Sequence, residues 1–174
     1  IGNPFPKFVF GFTNNFSYKN FDLSIVTSGT YGNKVWANEE GIANLDGVFN
    51  VLKDIKDRWR SPENPGAGKY GKTTGSTEPD RLNHSRSVYN GSHLTINNVT
   101  LGYNIPCAGI KGISNLRVYG SIQNLYTFTK YPYGNPEAGV DQNGNAPSAL
   151  LQGIDFSTYP VPRTFTLGIS LTID

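Results

Sequence analysis

Charge is scarce in this chain. Only 16% of its 174 residues are Asp, Glu, Lys or Arg, against ~25% in an ordinary soluble domain, and 15 basic residues nearly cancel 13 acidic ones. A net charge of +2 leaves no electrostatic footprint for a phosphate backbone, so nucleic acid is not expected as a partner. The only cysteine, Cys107, has no internal partner for a disulfide and sits between Pro106 and Ala108 as a plain turn residue. No window approaches the ~18 to 20 continuous apolar residues of a spanning helix, and no basic-then-apolar leader follows Ile1. These absences exclude a helical membrane protein and leave a membrane barrel open. Methionine is missing altogether and the chain opens inside a turn-like phrase, as expected of a piece of something longer. Aromatic residues (13%), 20 Gly and 11 Pro are what the chain has instead, and the high aromatic share together with the low charge disfavours disorder.

Catalytic patterns are also missing. There is no Gly-x-Ser-x-Gly elbow. His84 and His93 are nine apart around a turn, a spacing that fits neither a helical pair nor a zinc finger, and they read as loop or interface residues. Glu39 with Glu40, and Asp54 with Asp57, read as solvated charge on a loop and a helix flank. Asp141, Asn143 and Asn145 have the first oxygen-ligand spacings of a calcium loop, but Ala146 and Gln152 stand where Gly and Glu belong, so a polar turn is the better reading. Glycosylation sequons at Asn15, Asn83, Asn90 and Asn98 matter only in a eukaryotic secretory setting, and two would fall inside strands. No enzyme, metal or cofactor is expected.

A period of two recurs along the chain. Phe8, Phe10, Phe12, Phe16 and Tyr18 alternate with Val9, Gly11, Thr13, Asn15 and Ser17; after Lys19 and Asn20, Phe21, Leu23, Ile25 and Thr27 alternate with Asp22, Ser24, Val26 and Ser28. A third window has the weakest sidedness, with Val99, Leu101 and Tyr103 sharing a face with Thr95 and Asn97, opposite Ile96, Asn98, Thr100 and Gly102. In the fourth, Leu116, Val118, Ile122 and Tyr126 oppose Arg117, Tyr119, Ser121 and Gln123; in the fifth, Phe165, Leu167, Ile169, Leu171 and Ile173 oppose Thr164, Thr166, Gly168, Ser170 and Thr172. The predicted strands cover about 7–18, 20–31, 93–104, 115–127 and 163–173. Their length suits the ~9 to 11 tilted residues that cross a bilayer, where soluble sandwich strands run nearer 5 or 6.

Short and long connections alternate, as in an up-and-down barrel whose long loops lie on one side. Within the first long loop, Leu45, Val48, Phe49, Leu52, Ile55 and Trp59 follow helical spacing and predict a helix over about 43–59. Its apolar stripe would pack on the barrel rim or its own loop, or meet a partner protein. The second long loop carries Tyr131, Pro132, Tyr133, Gly134, Asn135, Pro136 and Glu137, aromatics beside Pro and Asn.

In order and spacing, Ile1-Gly-Asn-Pro-Phe-Pro-Lys-Phe, Tyr18-Lys-Asn-Phe-Asp-Leu-Ser, Arg58-Trp-Arg-Ser-Pro-Glu-Asn-Pro-Gly and Leu94-Thr-Ile-Asn-Asn-Val-Thr-Leu-Gly-Tyr-Asn-Ile-Pro precede Leu116-Arg-Val-Tyr-Gly-Ser-Ile-Gln-Asn-Leu-Tyr-Thr-Phe-Thr-Lys-Tyr, Gly153-Ile-Asp and Tyr159-Pro-Val-Pro-Arg-Thr-Phe. Over nearly its whole length the chain thus resembles the C-terminal β-barrel portion of SusC/RagA-like TonB-dependent outer-membrane transporters of Bacteroidetes. The resemblance implies about five antiparallel strands of a 22-stranded transmembrane barrel, residues 1–174 being its C-terminal part, without the plug domain and TonB box. It implies a nutrient importer and no enzyme, in the bacterial outer membrane and in contact with its lipid. Implied partners are the rest of the transporter, a SusD-like surface lipoprotein, TonB through the missing N-terminal part, and an oligosaccharide or peptide cargo. One departure is the ending Thr172-Ile173-Asp174, where such strands usually finish on an aromatic residue.

Trp36, Trp59, Tyr131 and Tyr133 are the candidate contacts to cargo or lid, since aromatic faces stack on sugar rings or peptide side chains in wet sites. Loop packing or a membrane-interface belt would explain the same residues. The alternative to the barrel is a soluble, secreted β-sandwich carbohydrate-binding module. It would require the Phe8, Phe10, Phe12 face to pack against the Phe165, Leu167, Ile169 face in a dry core.

Overall fold

A computed structural model describes residues 2–37, 53–68, 70, 85–107, 112–139, 151–156 and 158–173. Among them the chain is built of strands: β1 (Phe8–Tyr18), β2 (Phe21–Tyr31), β3 (Lys34–Ala37), β4 (Val88–Asn90), β5 (His93–Ile105), β6 (Asn115–Thr129), β7 (Ile154–Asp155) and β8 (Thr164–Thr172). The five long strands form one antiparallel sheet in the order β1-β2-β5-β6-β8, and β1 and β8 are its edges. A tight turn joins β1 to β2, with Lys19 at φ +53 in the left-handed region and its ammonium 5.4 Å from the centre of the Tyr18 ring.

The register sorts the side chains. Phe12 pairs with Thr27, Phe16 with Leu23 and Tyr18 with Phe21; Leu23 then pairs with Leu101, Leu101 with Gly120 and Gly120 with Leu167. Paired residues share a face, so one side of all five strands is a single apolar surface. It lies open: Phe165 is 70% exposed and Leu167 90%. Tyr18, Phe21 and Tyr103 mark its level at one end, and Phe8, Tyr31, Tyr126 and Phe128 at the other. Ten steps from Phe8 to Tyr18 rise ~33 Å along the strand, or about 25 Å at a tilt of ~40°, which is the height of the apolar band of an outer-membrane barrel between its aromatic girdles. The Phe8 and Phe165 faces therefore lie side by side on one sheet instead of across a sandwich core.

Two irregularities correct the sequence reading of β5. Val26 pairs with Asn98 and Thr27 with Ile96, so Asn97 is an extra residue; opposite it on β6, Asn124 and Leu125 fall between Gln123 and Tyr126, with Asn124 at φ +52. A bulge reverses the side-chain phase of its strand. Leu94 and Ile96 therefore join Val99, Leu101 and Tyr103 on the apolar face, and Thr95 turns to the polar one.

A second, three-stranded sheet, β4-β3-β7, was not foreseen. Val35 pairs with Tyr89 from the first long loop, and Trp36 pairs in parallel with Ile154 from the second. Its core is Val35 and Ala37, fully buried, with Tyr131 and Ala138, and with Tyr89 and Tyr133 packed against them. The helix expected over 43–59 lies mostly outside the described residues. Its described end, Lys53–Asp57, is a 3₁₀ turn, not an α-helix, closed by Ala67 N–H donating to the Asp57 carbonyl.

Candidate functional site

The polar face of the large sheet carries a series of ordered polar contacts. Asp22 on β2 and Arg117 on β6 reach each other across β5, with Arg117 Nε 3.0 Å from Asp22 Oδ1 and Nη2 2.5 Å from Oδ2. They meet over Gly102, where any side chain would strike both. Arg117 also lies 5.1 Å from the Tyr119 ring, which covers Gly168 of β8 in the same way. Two glycines thus let an ion pair and an aromatic ring lie flat on the wall.

Toward the loops, His93 opens β5 almost fully buried. Its Nδ1 lies 3.0 Å from the Gly91 carbonyl and its Nε2 3.2 Å from Glu137 Oε1, so each ring nitrogen faces an acceptor, an arrangement satisfied by the imidazolium. Glu137 itself is 60% exposed, and the hydrogen bond from His93 holds its carboxyl below the ordinary glutamate value. This pair ties the turn after β6 to the wall. Thr95 and Thr127, hydroxyl to hydroxyl at 3.0 Å, line a cleft there with Asn97, Asn124, Asn135 and Glu137.

Of the four predicted contact residues, the fold brings two together, Tyr131 and Tyr133. Tyr131 is 5% exposed and donates its hydroxyl to Asp155 Oδ2, while Asp155, fully buried, accepts the Thr158 N–H at 2.7 Å. Tyr133 is half-buried and forms a triad with Tyr89 and Tyr131, ring centres 5.6 to 5.9 Å apart and nearly perpendicular. Trp36, alternating with the buried Val35 and Ala37, packs edge-on against Phe156 at 5.6 Å. Trp59 lies apart, its backbone N–H donating to the Tyr70 carbonyl beside the small Ile55 and Tyr70 cluster. The Tyr131–Asp155 link escaped the sequence reading, since Asp155 is 24 residues from its partner. His84 and the Asp141 loop lie outside the described residues. Among the described residues no group of three His, Cys, Asp or Glu side chains could hold a metal ion. Cys107 is half-buried with its thiol 3.2 Å from the Ile105 carbonyl, a turn residue as expected.

A sheet with a continuous exposed apolar face, a polar opposite face and loops gathered at one end is the wall of a transmembrane β-barrel. No family model matches the sequence. Among curated proteins it is similar to the TonB-dependent receptor P3 of Formosa agariphila, 35% identical over 98% of this chain and 17% of that protein, and to the receptor P26 of the same organism, 34% over 99% and 17%. The TonB-dependent receptor SusC of Bacteroides thetaiotaomicron is 29% identical over 92% of the chain and 14% of its own length. Among solved structures the RagAB peptide transporter matches with a TM-score of 0.78 at 23% identity, over 98% of this chain and 17% of that one, and its open-open state with 0.75 at 24%. Over nearly its whole length the chain is homologous to a part of the TonB-dependent receptors, SusC among them, and those relatives are receptors and not enzymes. It spans about a sixth of the length of the relatives it matches.

Proposed function

We propose that this chain is the C-terminal part of the barrel wall of an outer-membrane nutrient importer, with β1 and β8 paired to further strands of the same receptor. The observation that carries this reading is the apolar face shared by all five strands. Left in water, that face and the two open strand edges would be aggregation sites; in a barrel the first meets lipid and the second meet neighbours. The polar face then lines the water-filled interior, and the β3, β4 and β7 unit stands on the outer side.

On this reading the loop unit faces the cargo, an oligosaccharide or a peptide, and a SusD-like lipoprotein. The half-buried Trp36, Trp59 and Tyr133 present aromatic surface to them, and Tyr131 acts from beneath by holding the surface in shape. RagAB, whose fold this chain shares, is a peptide transporter. The test compares Leu167→Lys with Thr166→Lys in the full receptor. A lysine near the bilayer midplane costs about 2–4 kcal/mol on the lipid face and little on the interior face, so only the first should lower the yield of folded barrel in outer membranes. Equal yields would refute the orientation. Deleting the receptor gene should abolish growth on one oligosaccharide or peptide source.

A further inference from the structure

The turn after β6 touches the wall through Glu137, whose Oε1 lies 3.2 Å from Nε2 of His93, a side chain 2% exposed. We propose that this contact is a proton-operated latch, which holds the turn on the wall while His93 is an imidazolium and releases it when the ring becomes neutral. The latch goes beyond the import reading and does not depend on it.

The other ring nitrogen decides which proton titrates. Nδ1 faces the Gly91 carbonyl at 3.0 Å and the Thr30 hydroxyl at 3.2 Å. That hydroxyl donates its own hydrogen to Asn33 Oδ1 at 3.1 Å, so it too meets Nδ1 as an acceptor. Gly91 is buried and Asn33 is 8% exposed, so water does not take over these contacts. Nδ1 therefore keeps its hydrogen in both states of the ring. The proton that comes and goes is the one on Nε2, shared with Glu137.

With that proton, Nε2 donates a charge-assisted hydrogen bond to the carboxylate. Without it, a lone pair and a carboxylate oxygen face each other at the same distance with nothing between them. The Glu137 side chain is 60% exposed and can be solvated outward, whereas the ring is enclosed, so the turn is the part that moves. Among the described residues Glu137 is the charged group acting on the ring; Thr30 of β2, the Gly91 carbonyl before β5 and Thr129, its partner on β6, are neutral. A further charge nearby moves the pH of the step, not the change from donor to acceptor that drives it.

Release is local, because the turn is anchored on both sides. Before it, the Tyr131 N–H donates to Thr129 Oγ1, which donates to the Ser92 carbonyl. After it, the Ala138 carbonyl accepts the Gly153 N–H. Between these anchors Gly134, Asn135 and Glu137 form one side of a cleft of about 160 Å³ whose other side includes Thr95 and Thr127 of the wall, so release widens its mouth. The Glu137 carboxyl is held below its ordinary value by His93, and the latch opens in acid as well, once that carboxyl gains a proton. It is closed between the two titrations.

The experiment uses the full receptor in detergent. Exchange of the imidazole C2 hydrogen, read by mass spectrometry after tryptic cleavage at Arg86 has separated His93 from His84, gives the titration of His93 itself. Amide exchange over Asn135–Glu137, corrected for intrinsic pH dependence, gives the opening of the turn. Opening should rise about tenfold as His93 becomes neutral, the low end for a hydrogen bond to a charged group with one exposed partner, while the Val99 and Ile122 amides stay unchanged. Its midpoint should coincide with the ring's own titration. Glu137→Gln should abolish the step, since an amide accepts from the charged ring and donates to the neutral one, with heat-modifiable migration on gels confirming that the variant remains folded. No step across the His93 titration, a step at another pH, or a step of equal size in Glu137→Gln would overturn the latch; the first two are read in the wild type alone.

Discussion

Removing one oxygen atom should unlock the outer loop unit while leaving the barrel untouched. Tyr131→Phe keeps the ring that packs on Tyr89 and Tyr133 and deletes the hydroxyl that donates to Asp155, a side chain 1% exposed. The Thr158 N–H still reaches Oδ1, but Oδ2 loses its donor. A buried acceptor stranded in this way costs about 1.5–3 kcal/mol. Taking ~2 kcal/mol, at about 1.4 kcal/mol per tenfold, local opening becomes ~30-fold more frequent. The reporters are the Trp36 N–H, which donates to the Gly153 carbonyl at 2.8 Å, and the Gly153 N–H, which donates to the Ala138 carbonyl at 3.2 Å. Hydrogen exchange of the full receptor, read by mass spectrometry, should show both amides faster by about that factor, with the Val99 and Ile122 amides unchanged. Tyr131→Ala also removes a buried ring, a cost of about 3–5 kcal/mol, and should speed exchange more than ~100-fold. If instead Tyr131 served as a direct cargo contact alone, uptake would fall while exchange stayed constant. Unchanged exchange in Tyr131→Phe would refute the reasoning.

Gly102→Ala should displace the Asp22–Arg117 pair, since the added methyl would sit 2.5 Å from Asp22 Oδ1 and in collision with the guanidinium. Its partners are a quarter to a third exposed, so the pair itself contributes no more than ~1 kcal/mol, and in a full receptor about six times this chain's length its loss alone should lower the gel-shift melting temperature by under about 1 °C, any larger fall reporting steric strain. The Glu137 carboxyl is held below its ordinary value, so its pairing with His93 contributes fully above about pH 4.3 and is lost as pH falls through the lowered folded value. Exchange at the Glu137 N–H should therefore rise on acidification below that point, beyond intrinsic pH effects, in the wild type and not in Glu137→Gln.

The all-β class and the five long strands were legible because a membrane wall writes its two solvents into consecutive residues. Lipid on one side and water on the other force a period of two over about ten positions, and the β8 alternation from Thr164 to Thr172 shows it without interruption. Residues that break the period obscured the third strand. Asn97 looks like any polar strand residue until its partners on β2 and β6 show that it has been skipped.

The loops were legible as surface and illegible as structure. Lys34–Ala37 is four residues long, too short to establish a period, and its partners come from positions near 89 and 154. Tyr131 and Tyr133 could be flagged as aromatic loop residues, but only the folded unit separates a residue 5% exposed from one that is half-buried. His93 and Glu137 are 44 residues apart, and no local rule joins them.

By itself the sequence determined that this protein is a sheet with one apolar and one polar face, because alternation along a strand is a local property that every residue reports directly. Tertiary structure decided the rest: which face Leu94 and Ile96 occupy after the bulge, that two distant loops share one three-stranded sheet, and that Asp155 and Tyr131 meet. Those depend on pairings between segments tens of residues apart, where the free energy comes from burying and satisfying groups that are not neighbours in the chain.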